Sequence, residues 1–134
     1  AWAADAAQSN IRPALRLNAT APGWSVSHNA YDLIIVSNLL HLISWPETQV
    51  LLDETALALA PGGICLIYGP FLRGAKFASD GDARFHASLI AQDPDIGYKS
   101  HQSVQDFQRD RTLHVLSELA MPANNLILAA HKPG

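Results

Sequence analysis

Two uninterrupted aliphatic runs govern what this chain can fold into. "YDLIIVS" (31–37) and "ICLIYG" (64–69) are bounded by polar and turn residues, and the first carries β-branched Ile34, Ile35 and Val36. Such runs suit strands buried on both faces, as in a parallel sheet. Between them, Ser44 and Glu47 have the spacing of a capping box, and Pro46 falls where a first helical turn tolerates a missing N–H. Leu52, Ala56 and Leu59 then recur at i, i+4 and i+7. The pattern predicts a helix over 46–60, stopped by "APGG" (60–63) with a glycine in the left-handed cap. Strand, helix and strand make a βαβ unit, and open sheets built from such units place ligands beyond the carboxyl ends of their strands.

The flanking segments are shorter. Residues 1–10, "AWAADAAQSN", favour helix, and Pro13 marks its end. "ALRLNAT" (14–20) alternates Leu15 and Leu17 around Arg16 and predicts a short strand ending at Asn18. A helix is expected over 82–92, and Ser103 with Asp106 predicts a capped helix running to Asp110. "LHVLSELAM" and "LILAAHK" flank "PANN", and strands joined so closely pair antiparallel. The chain reads as one α/β domain over 1–134, parallel first and closed by an antiparallel hairpin.

With 134 residues the chain can build one core but not two ordinary domains. An apolar fraction of 49% and a charged fraction of 16% mark a globular protein rather than a disordered one. A net charge of −3, with scattered Lys and Arg, leaves no footprint for nucleic acid or an anionic membrane. No apolar segment approaches the roughly 18–20 residues that cross a bilayer. The N-terminus lacks the basic start and apolar centre of a signal peptide. A soluble, cytoplasmic domain is expected. The single cysteine, Cys65, excludes an internal disulfide, fits a reducing compartment and reads as an inert core residue. His28, His41, His86, His101, His114 and His131 never pair at i, i+3 or i, i+4, so no metal site is expected. No G-x-S-x-G supports a serine hydrolase. The chain also opens at Ala1, in what reads as mid-helix, so sequence upstream is expected.

The candidate site residues cluster after the two aliphatic runs. Asn38 and His41 follow the first, where Asn38 is either a turn former or a ligand contact. His41 is either a loop histidine bonded to backbone or a general base whose ordinary pKa suits neutral pH. Tyr68 and Phe71 end the second run; the Tyr68 hydroxyl either meets substrate or stays at the surface while its ring packs. Asn124 and Asn125 suit the hairpin turn, and a substrate contact from one of them is the alternative.

Together, "YDLIIVSNLLHLISW", "LAPGGICLIYGPF" and "MPANNL" resemble the class I S-adenosylmethionine-dependent methyltransferases. The individual motifs are most similar to the methyltransferase-like 26 type, domain of unknown function 938. They are Asn38-His41-Ser44-Trp45, Tyr68-Gly69-Pro70-Phe71, Ser88-Leu89 with Asp93-Pro94 and Gly97, and Met121 through Leu126. The resemblance implies a Rossmann-like sheet of order 3-2-1-4-5-7-6, with 14–20 as the third strand, 31–37 the fourth and 64–69 the fifth. It also implies methyl transfer from S-adenosylmethionine to a small-molecule or other acceptor. By the same resemblance Asn18 and Ala19 meet adenine, Asn38 and Leu39 line the donor site, His41 and Tyr68 serve catalysis, and Tyr68, Phe71 and Asn124 line the acceptor side. The family's Gly-rich loop and its acidic second-strand tip have no counterpart here, and Asn18 stands where the family has Asp. The implied fold is therefore the C-terminal part of a methyltransferase domain, truncated before its third strand. The run 31–37 would then keep an unpaired edge with no charge among Leu33, Ile34, Ile35 and Val36, which predicts a homo-oligomer. A non-catalytic self-associating fragment, or a module holding a nucleotide-like ligand, is the alternative function.

Overall fold

A computed structural model describes residues 10–134. The helix expected over 1–10 lies almost wholly outside the described residues. Four strands form one sheet: β1 (Tyr31–Ser37), β2 (Leu59–Gly69), β3 (His114–Ala120) and β4 (Leu126–His131). Their spatial order is β1-β2-β4-β3. β1 pairs parallel with β2, from Leu33 opposite Ile64 to Ser37 opposite Tyr68. β4 lies antiparallel to both β2 and β3. This is the 4-5-7-6 portion of the expected sheet, and the hairpin of β3 and β4 closes it as the sequence predicts.

Helix α1 (Trp45–Ala58) joins β1 to β2. Its capping box is complete: the Ser44 hydroxyl accepts from the Glu47 N–H at 3.2 Å, and the Ser44 N–H donates to Glu47 Oε1 at 2.9 Å. The helix ends two residues before the predicted Ala60, and no glycine caps it. Leu59 is already extended, and Lys132 Nζ donates to the carbonyls of Ala56 (2.9 Å) and Leu59 (2.8 Å). A cation from β4's end thus serves α1's orphan carbonyls and its negative dipole end. Gly62, at φ +84°, instead turns the chain inside the start of β2, where the ladder with β1 is irregular.

Helices α2 (Asp80–Gln92) and α3 (His101–Asp110) follow β2. Ser79 caps α2 by accepting from the Asp82 N–H at 3.1 Å. The cap predicted at Ser103 is corrected: Ser100 holds the N-cap position and Ser103 lies within α3. The start is set from outside the helix, because the His101 N–H donates to the Leu72 carbonyl at 3.0 Å.

α1 and α3 cover the sheet face carrying Val36, Cys65, Ile67, Leu126 and Leu128, and Leu51, Leu52, Val104 and Phe107 complete the core. Burial pushes the Cys65 thiol up to about 12, as an inert core residue requires. No described element covers the opposite face. Leu33 and Ile35 are accordingly 53% and 62% exposed, so β1 is not buried on both faces as its composition predicts. The strand predicted at 14–20 is also absent. Leu15 is 75% exposed and no described strand lies beside the segment, and a strand persists only where a neighbour satisfies its ladder.

Among the described residues no helix is long and apolar enough to cross a membrane.

Candidate functional site

Both parallel strands end at the same side of the sheet, and the β1 tip is bent sharply. Asn38, just past β1, holds φ +54°, a left-handed conformation that Asn tolerates better than most residues. Its N–H donates to the Tyr68 carbonyl at 2.8 Å, which locks the two tips together. Beyond Asn38 the chain makes a single turn, Leu40–Leu42, before Ser44 starts α1.

A cleft of about 370 Å³ opens beside the β1 tip, walled by Leu17, Ala19, Ile34, Asn38, Leu39 and Leu51. Ala19 is held by Trp24, whose indole N–H donates to the Ala19 carbonyl at 3.0 Å. The structure thus gathers Ala19, Asn38 and Leu39 in one concavity. Asn18 precedes it in a local turn, where its Oδ1 accepts from the Thr20 N–H (3.2 Å) and hydroxyl (2.7 Å).

His41 does not line this cleft. It is 7% exposed and meets the rings of Phe85 and Tyr98 edge-on, with centroids 5.7 and 6.3 Å away. Burial, and then the charge of Lys99, hold its pKa below the ordinary imidazole value, so the ring is neutral and able to take a proton. Phe71 is 1% exposed and belongs to the core. Tyr68 lies on the open face of β2, half-buried, and its hydroxyl accepts from Asn125 Nδ2 at 3.1 Å.

The hairpin turn differs from expectation in one position. Ala123 and Asn124 take the left-handed conformations, at φ +60° and +61°, whereas Asn125 is extended and spends its side chain on Tyr68 and on the Pro122 carbonyl. Arg73 fastens this turn to the β2 exit by donating to the Asn124 carbonyl (2.7 Å) and the Phe71 carbonyl (2.8 Å).

Sequence reasoning missed Arg73, Asp82, His86, Tyr98 and Lys99. The Tyr98 hydroxyl donates to Asp82 Oδ1 at 2.7 Å, and the Ser79 hydroxyl to Oδ2 at 2.6 Å. Burial alone would raise the Asp82 carboxyl, yet these two bonds and the Arg73 charge outweigh it and hold the group below its ordinary value. The Tyr98 phenol is driven up by burial and by its bond to Asp82. The Tyr98 N–H donates to His86 Nδ1 at 3.0 Å, and Gly97 lets the ring approach: a Cβ there would lie 2.8 Å from it. Burial, then Lys99, lowers the His86 pKa. The Ser79–Asp82 spacing was the one signal available in the sequence, as a helix cap; the other contacts join segments remote in the chain. Among the described residues, no group of three or more His, Cys, Asp or Glu is arranged to hold a metal.

Solved structures share this fold. An O-methyltransferase family protein from Burkholderia thailandensis superposes with a TM-score of 0.75 at 16% identity, covering 90% of this chain and 35% of its own. An O-methyltransferase family 2 protein from Planctomyces limnophilus, in complex with apigenin, gives 0.68 at 20% identity over 75% and 30% of the two chains. Human N-acetylserotonin methyltransferase, in complex with S-adenosylmethionine, gives 0.69 at 15% over 78% and 30%. The chain spans about a third of the length of these neighbours. Their likeness shows the fold, a class I methyltransferase sheet. Residues 1–132 match the family described as "Protein of unknown function (DUF938)", and the chain belongs to that family.

Proposed function

We propose that the protein carrying this chain transfers a methyl group from S-adenosylmethionine to a small-molecule acceptor. The observation that carries this reading is the cleft at the β1 tip, walled by Ala19, Asn38 and Leu39, in a sheet of methyltransferase order. Its apolar walls fit a flat purine, and Asn38 offers polar atoms at the rim. When bound, S-adenosylmethionine supplies the activated methyl group.

The chain's own residues divide the remaining work. Leu17, Ala19 and Leu39 would offer the purine apolar walls. Asn18 shapes the turn that presents Ala19; adenine's amino group would reach its Oδ1 only in exchange for a Thr20 donor. His41, held neutral by burial and by Lys99, would accept the acceptor's proton as the new bond forms. Tyr68, steadied by Asn125, would orient the acceptor, with the Asn124 turn as its outer wall and Phe71 as the packing beneath. Aligning donor and acceptor supplies most of the rate in a displacement of this kind.

The neighbours' bound apigenin and S-adenosylmethionine support a small-molecule acceptor and this cofactor. Titration calorimetry with S-adenosylmethionine tests the reading: the full-length protein should bind it, and no binding would overturn the proposal. The 134-residue chain alone, which carries neither a Gly-rich loop nor an acidic second-strand tip, should bind weakly or not at all. A low-micromolar dissociation constant for the chain alone would contradict that expectation.

A further inference from the structure

Segment 97–101 runs between the two strand tips and is sewn to both. The Gly97 N–H donates to the His41 carbonyl at 3.0 Å, and the Leu72 N–H donates to the Lys99 carbonyl at 2.9 Å. In the middle of this segment Lys99 turns inward and is only 9% exposed. Its ammonium donates to the Gly97 carbonyl at 2.8 Å and to the Ile43 carbonyl. Ile43 directly follows the turn that carries His41. One side chain therefore spans the His41 turn and the segment that closes over it.

This arrangement is expensive if stability is its purpose. An ammonium taken out of water costs several kcal/mol unless paired, and an apolar side chain of similar length at such a site is often neutral or better. Two neutral carbonyls are modest compensation. The acidic group acting on it is Glu47, which is itself engaged by Ser44. Burial accordingly pushes the Lys99 pKa down to about 8, leaving it charged at neutral pH.

We propose that Lys99 is a positioning residue for His41, clamping the 40–43 turn to segment 97–101 so that the imidazole is held beside the β1 tip in one orientation. The inference rests on the reading of His41 as the base. The fixed positive charge has a second effect, since it opposes protonation of the ring. The rings packed on the imidazole are the uncharged Phe85 and Tyr98; His86 and Asp82 on α2 bond to Tyr98, and Glu47 on α1 acts on Lys99.

The test uses Lys99→Gln, which keeps donors but no charge, Lys99→Met, which keeps neither, and Lys99→Arg, in the full-length protein. His41 is followed by NMR titration of its ring, alongside the pH profile of kcat. Both neutral variants should raise the His41 pKa toward about 6.5 and move the acid limb of the kcat profile to higher pH with it. Lys99→Met should lower kcat about 10–100-fold with KM for S-adenosylmethionine little changed, and Lys99→Arg should restore both readouts. A folded Lys99→Gln with an unmoved His41 titration overturns the proposal. So does failure of all three variants to fold, which would make Lys99 a structural residue only. A shifted titration in Lys99→Gln combined with full activity in His41→Ala would keep the clamp and remove the base.

Discussion

Tyr98 and Asp82 are joined by a 2.7 Å hydrogen bond that fastens the first turn of α2 to the segment bearing Lys99. Leu89 is the buried residue of α2, so the helix depends on this bond and on the cluster of Phe77, Phe85, His86 and Tyr98 rings for its attachment. Tyr98→Phe keeps the ring and deletes the donor. A hydrogen bond to a charged acceptor contributes about 1.5–3 kcal/mol, and urea unfolding should report a loss in that range. A loss below about 0.5 kcal/mol would show that water replaces the phenol and that α2 is held by packing alone.

Stability should fall as pH drops from neutrality through about 6.5. His41 and His86 both have folded pKa values below the ordinary one, so the unfolded chain takes up their protons first. Stability is then complete above the unfolded value and declines beneath it until the folded value is passed. Glu47 and Glu54 are lowered chiefly by backbone hydrogen bonds, from Ser44 and Ser25, and their contribution is lost only below roughly 4.3. The two phases should separate in denaturant titrations across pH. His41→Gln combined with His86→Gln should flatten the upper phase and leave the lower; an unchanged upper phase would place these protons elsewhere.

In the full-length protein His41→Ala and Tyr68→Phe should lower methyl transfer more than they weaken cofactor binding. Removing a general base costs on the order of 10²–10⁴ in rate. His41 packs against two rings, so thermal unfolding must accompany the kinetics. Equal losses in binding and turnover, with folding intact, would take both residues out of the chemistry.

The 134-residue chain should self-associate. β1 pairs with β2 alone among the described residues, and its uncharged stretch 33–36 leaves Leu33 and Ile35 53% and 62% exposed. An open edge with an apolar face is a template for another strand. Light scattering at micromolar concentration should find a dimer or larger species, and Ile35→Lys should return it toward monomer. A wild-type monomer with rapid amide exchange at 33–36 would contradict this.

Local chemistry determined much of this protein. The Ser44–Glu47 box, the two aliphatic strands and the short "PANN" connection act through neighbours in the chain, and each element formed, although α1 stops at Ala58 and β2 begins at Leu59, five residues before the predicted start. The motif pattern carried the family as well. Tertiary structure decided the rest. Whether 14–20 becomes a strand depends on a partner, and whether Leu33 is buried depends on what lies over its face; neither is written in the segment itself. Asn18 could be named as a site residue but not its bond to Thr20, and His41 could be placed at a strand tip but not beneath Phe85. Lys99 carried no signal at all, because a lysine in a loop has the same composition whether its ammonium meets water or the carbonyls of Gly97 and Ile43. Its burial depends on segments more than fifty residues apart meeting at one point, and only the packed chain brings them there.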